Sequence, residues 1–72
     1  MTPDEVRAAV RANADKRVRL TYSDGVIELV DLHGGGDDEG FLHSGPNGID
    51  PAHWWTRVDS VVRVEPVTAT RD

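Results

Sequence analysis

The stretch "HGGG", residues 33 to 36, matches the loop that some esterases use to aim backbone N–H groups at a developing oxyanion. That chemistry needs a nucleophile. The chain has no G-x-S-x-G elbow, and 72 residues cannot build the large α/β sheet that displays one. A phosphate cradle fits no better, because no helix start follows the glycines and Asp37, Asp38 and Glu39 would repel an anion. The same acids with His33 and His43 are hard-oxygen and imidazole donors. They lack the alternating ligands of a calcium loop and the four convergent ligands of a zinc site. Residues 33 to 40 therefore read as a mobile, solvated acidic connection. His33, His43 and His53 recur every ten residues, an interval with no geometric meaning in a strand-loop-strand chain. Catalysis by paired carboxylates, or by a nucleophile and its base, needs a pocket that so small a domain fills with its own side chains. The expectation is a non-enzymatic protein with no metal and no cofactor.

The residues best suited to recognition are Trp54 and Trp55, adjacent within "PAHWWTRVDSVVRV" (51 to 64). Side chains alternate across a strand, so only one of the two rings can enter a given core. Trp54, Thr56 and Val58 share one face, and the valine assigns Trp54 to the core. His53, Trp55 and Arg57 share the other, leaving Trp55 outward between polar neighbours, as a protein hot spot or a stacking platform for a base. The competing placement packs Trp55 under an N-terminal helix against Val6 and Val10. Arg17, Arg19, Arg57 and Arg63 also fall on expected strands and would form a basic patch if the first and last strands pair; cross-strand partners such as Glu28 or Glu65 would neutralise it.

Eight basic against thirteen acidic residues leave a formal charge of −5, the wrong sign for bulk electrostatic binding of nucleic acid. There is no cysteine, so neither disulfides nor thiolate zinc sites supplement the core. A chain this short buries only about 60 % of its unfolded surface, enough for one modest core. No segment approaches the ~20 apolar residues of a membrane span, and the N-terminal stretch has no apolar run of signal length. The expected location is cytoplasmic, with no membrane partner. Arginine outnumbers lysine seven to one, and alanine, valine, aspartate and glycine are frequent, as in high-GC bacteria.

The elements that must position these residues form one domain, 1–72. Thr2, Pro3 and Glu5 make a helix start, predicting a helix over 3–14 with Val6, Ala9, Val10 and Asn13 on one stripe. In "RVRLTYSDGVIELVDL" (17 to 32), Asp24-Gly25 fits a two-residue type I′ turn. That register puts Val18, Leu20, Tyr22, Ile27 and Leu29 on the core face, and Val30 and Leu32 on the other, as if the second strand bent from one sheet into another. Strands are expected at about 17–23, 26–32, 40–44, 53–58 and 61–65. The last run also fits a helix starting at Asp50-Pro51, but its β-branched valines favour strands with a break at Asp59-Ser60.

A capped helix, the "YSDG" hairpin, a Gly-rich loop, a short strand and two strands broken within "RVDSVVRV" resemble the bacterial Sm-like and SH3-like small barrels, with WYL-type domains and the Sm-like inhibitors of the Rho terminator similar at the same level. The resemblance covers residues 3 to 65 and rests on element order. It implies a mainly β fold with one N-terminal α-helix, a barrel of about five strands, and binding of RNA, DNA or protein without catalysis. The acidic loops, with Asn47-Gly48 the only Asn-Gly, depart from the Sm-type RNA site. The leading expectation is a regulatory or interaction module that binds a protein partner or itself, with Trp55, His53 and Arg57 as its surface. The alternative is single-stranded RNA, with Trp55 stacking on a base and Arg17, Arg19, Arg57 and Arg63 holding phosphates. A purely structural domain, with both tryptophans buried, is the third reading.

Overall fold

The computed structural model describes residues 1–45 and 53–67. Thr2 opens helix α1 (Pro3–Ala12) with a full capping box: its hydroxyl accepts from the Glu5 N–H at 3.2 Å, and the Glu5 carboxylate accepts from the Thr2 N–H at 2.8 Å. These bonds hold the Glu5 carboxyl below its ordinary pKa. The helix ends two residues before the expected Ala14. There the Asn13 side-chain amide donates to the Ala9 carbonyl at 2.8 Å, and Asp15 takes a positive φ of 61°. Its apolar stripe is narrow. Val6 and Val10 are buried, and the helix packs on the last strand and the turn before it.

Five antiparallel strands follow: β1 (Arg17–Tyr22), β2 (Ile27–His33), β3 (Gly40–Ser44), β4 (His53–Arg57) and β5 (Val61–Pro66), with a 3₁₀ turn at Val58–Ser60 between the last two. The "WW" run is thus strand, and the break falls at Asp59-Ser60 as its composition predicts. The strands form one sheet in the order β4-β3-β2-β1-β5, with β4 and β5 at opposite edges and no pairing that closes it among the described residues. Among those residues, no helix is long and apolar enough to cross a membrane.

The hairpin turn departs from the two-residue reading. The Gly25 N–H donates to the Tyr22 carbonyl at 2.9 Å and the Tyr22 N–H to the Val26 carbonyl at 2.8 Å, so the loop has three residues, Ser23 to Gly25. A type I′ turn needs positive φ at both central residues. Only Gly25 (φ 92°) takes it, while the Asp24 carboxylate accepts from the Val26 N–H at 3.0 Å. The extra loop residue shifts the register by one and pairs Val18 with Val30 and Leu20 with Glu28. Every side chain of β2 changes face in consequence. Val30 and Leu32 are buried, Leu29 is half-buried, and Ile27, expected in the core, is 59 % exposed. β2 still passes between two parts of the sheet, pairing with β1 up to Asp31 and with β3 at Leu32 and His33. The core comprises Val6, Val10, Val18, Leu20, Val30, Leu32, Val58, Val61 and Val64 around Phe41.

The glycine-rich connection is tied down instead of freely solvated. The Gly34 N–H donates to the Asp15 carboxylate at 2.8 Å, and Arg7 Nε donates to the Asp38 carbonyl at 2.8 Å. One Asp37 carboxylate oxygen accepts from both the Glu39 and Gly40 N–H groups and launches β3. At Gly36 (φ 74°), an added Cβ would lie 2.9 Å from the Gly40 carbonyl oxygen and 3.0 Å from the Phe41 Cβ. The Asp37 carboxylate serves this turn, and among the described residues no group of three metal-ligating side chains converges.

Candidate functional site

β4 pairs with β3 along its whole length, Ser44 with His53, His43 with Trp54, Leu42 with Trp55, Phe41 with Thr56 and Gly40 with Arg57. Among the described residues its other side is a sheet edge. Alternation puts Trp54 and Thr56 on the face of the buried Phe41 and His43, and puts His53, Trp55 and Arg57 on the opposite face with Leu42. His53, Trp55 and Arg57 are all exposed there, Trp55 to 50 %. The edge of its ring lies over Gly40, where a Cβ would come within 2.9 Å of two indole carbons. An aromatic laid over a strand glycine keeps part of its surface dry without entering the core.

Trp54 corrects the sequence-based expectation. It shares the core face, yet it is 51 % exposed. The reason is what lies beneath it: that corner of the inner face is filled by polar side chains. His43 is buried, with Nδ1 2.8 Å from the Ser44 carbonyl and Nε2 2.6 Å from the Thr56 hydroxyl. A carbonyl can only accept, so Nδ1 carries the proton, and in the neutral ring Nε2 accepts from the threonine. Beside this pair, the Tyr22 hydroxyl donates to the Glu28 carboxylate at 2.9 Å. Burial, the bond to Glu28 and that residue's charge push the Tyr22 hydroxyl up to about 12, with Thr56 opposing the shift. Tyr22, Glu28, His43, Trp54, Trp55 and Thr56 line a cavity of about 290 Å³ that opens beside β4.

The arginines are dispersed and partnered. Arg17 forms a two-point pair with Asp31 at 2.8 and 3.2 Å, which holds the Asp31 carboxyl below its usual value and raises Arg17. β1 does pair with β5, bringing Arg17, Arg19 and Arg63 onto neighbouring strands, but Glu65 stands opposite Arg19 and lies 3.4 Å from Arg63. Arg57 sits on β4, three strands from β1, 3.6 Å from Asp59. Acid alternates with base over that surface.

The ten-residue histidine spacing has a partial geometric meaning after all. The sheet brings the His33 and His53 rings to a centroid distance of 4.3 Å, while His43 lies inside. Glu28 and Tyr22 are site residues that sequence reasoning missed: Tyr22 faces inward in either register, and Glu28 joins it only in the observed one. Asn47-Gly48 lies outside the described residues.

No protein-family model, curated protein or solved structure matches the chain.

Proposed function

We propose that this protein is a non-enzymatic interaction module that receives an extended segment of a partner protein along β4. The observation that carries this reading is the pair of half-exposed tryptophans on both faces of one edge strand. An edge presents unpaired backbone N–H and C=O groups, and natural edges are blunted by charge, proline or a covering element unless pairing is their purpose. The two edges differ in this respect. At β5 the Met1 nitrogen donates to the Val62 carbonyl at 3.0 Å, the Val64 N–H reaches the Met1 sulfur at 3.4 Å, and Pro66 ends the strand. β4 has no proline, carries its one arginine, Arg57, at its end, and has Trp54-Trp55-Thr56 at its centre. Main-chain bonds along such an edge supply affinity, and pockets for alternate side chains supply specificity. Rigid aromatic anchors at the centre are the usual source of binding energy.

The strand order, the N-terminal helix and the 3₁₀ turn before β5 support reading the fold as an SH3-like or Sm-like small barrel. Interspersed acids on the arginine face and the charge of −5 favour a protein over RNA as the partner.

Selection of random peptides displayed on phage, with backbone amide exchange of the protein bound to the selected peptides, tests the reading. Peptides that slow exchange at residues 53 to 57 and lose binding to Trp55→Ser support it. Peptides that protect another surface overturn it. So does salt-sensitive binding of a single-stranded RNA oligomer that shields Trp55 from acrylamide while no peptide is enriched.

A further inference from the structure

We propose that the cavity beside β4 takes a cationic alkylammonium group, a lysine side chain or its methylated form, from the segment docked on that strand. This inference rests on β4 being the docking edge and adds the side-chain chemistry that the segment must carry. Tyr22 and Trp54 contribute aromatic side chains, Trp55 borders the cavity from the opposite face of β4, and Glu28 contributes a carboxylate. Aromatic rings attract a cation through their negative faces, and the attraction grows when water is excluded. Among the described residues, one Glu28 oxygen accepts from Tyr22 and the other has no side-chain donor. An apolar group closing the cavity would strip water from that carboxylate without replacing it, whereas an ammonium would pair with it.

Among the described residues His43 is the only basic one of the lining, and both its ring nitrogens are already engaged, one by the Ser44 carbonyl and one by Thr56. It does not compete for Glu28. A volume of about 290 Å³ falls at the lower limit of small-molecule pockets, suited to the head of one side chain. The chain's charge of −5 favours approach of a basic segment and opposes an anionic one.

The test is tryptophan fluorescence of the intact protein titrated with choline and, separately, with its neutral isostere 3,3-dimethylbutan-1-ol, at ionic strength held constant with sodium chloride. Choline should give a saturable change and the alcohol one at least about tenfold weaker, because the two differ only in charge. Glu28→Gln should weaken choline by about fivefold or more and leave the alcohol unchanged. Should Glu28→Gln fail to fold by circular dichroism, Trp54→Leu replaces it, with choline binding, read by isothermal titration calorimetry, lost. Equal responses to choline and the alcohol overturn the proposal, as does a linear response or wild-type choline affinity in the variant. Choline needs no docked strand, so the two readings fail separately. Saturable choline binding without peptide docking overturns the β4 edge alone, and docking at β4 without preference for the cation overturns the cavity assignment alone.

Discussion

Truncating Val30 and Ile27 to alanine in turn decides which residues of β2 face the core. Val30 is completely buried opposite Val18, whereas Ile27 is 59 % exposed. Val30→Ala removes two buried methyl-sized groups at ~0.8 kcal/mol each, plus the cost of an incompletely closed cavity, or about 2 kcal/mol. Ile27→Ala, though it deletes more atoms, should change stability by no more than about 0.5 kcal/mol, as at an ordinary surface position. A domain of this size has a total stability of about 4 to 11 kcal/mol, so the Val30 loss is a large share of it. Urea unfolding followed by circular dichroism reads both. With a slope of about 1 kcal/mol per molar, expected for so short a chain, the Val30→Ala midpoint should fall by about 2 M and the Ile27→Ala midpoint by less than about 0.5 M. If Ile27→Ala costs as much as Val30→Ala at an unchanged slope, Ile27 faces the core. The hairpin would then have a two-residue turn, Glu28 would point away from Tyr22, and the cavity beside β4 would lose its carboxylate.

Three further outcomes follow from the same corner. Thr56→Val keeps shape but removes the hydroxyl partner of buried His43, so it should cost about 1 to 3 kcal/mol in urea unfolding while Thr56→Ser costs clearly less; equal effects would mean that the hydroxyl is not the partner. The Tyr22 phenol should titrate near pH 12 by absorbance at 295 nm. Because its folded pKa lies above the unfolded value of about 10, its contribution to stability is complete below pH ~10 and is lost as the pH rises through ~12. Glu28→Gln should move that titration down, and a titration already complete near pH 10 in the folded wild type would contradict a buried, carboxylate-bonded phenol. Gly40→Ala should displace β4, because the new Cβ would collide with the Thr56 carbonyl oxygen and the Trp55 ring. Overpacking at about 1 to 3 kcal/mol and red-shifted tryptophan emission are expected, and unchanged emission would mean that Trp55 does not rest on Gly40.

Local chemistry made most of the elements legible. Thr2, Pro3 and Glu5 announce α1 through groups that bond within one turn, and Asp59-Ser60 marks the break before β5. The faces of β2 were not legible, because two-residue and three-residue loops both suit "YSDG", and the choice rests on whether Asp24 or only Gly25 takes positive φ. The glycine-rich segment was misread for a related reason. Its tethers come from Arg7 and Asp15, whose nearness is a product of the fold.

The "WW" pair shows how one local choice reaches the candidate site. Alternation correctly separates the two rings, but whether an inward ring is buried depends on what its neighbours leave to pack against. A valine at that corner would have drawn Trp54 down. The three-residue loop instead turns Glu28 inward, where its carboxylate engages Tyr22, while Thr56 engages His43. These polar groups hold one another in place and exclude the indole, leaving it half-exposed above a cavity at the sheet edge. The register that costs the core Ile27 and Leu29 is therefore the same one that gives β4 an aromatic and acidic pocket. A substitution that favours a type I′ turn at residues 24 and 25, Asp24→Asn, should, where it shifts the register, bury different β2 side chains and abolish cation recognition together, which two unrelated features would not do.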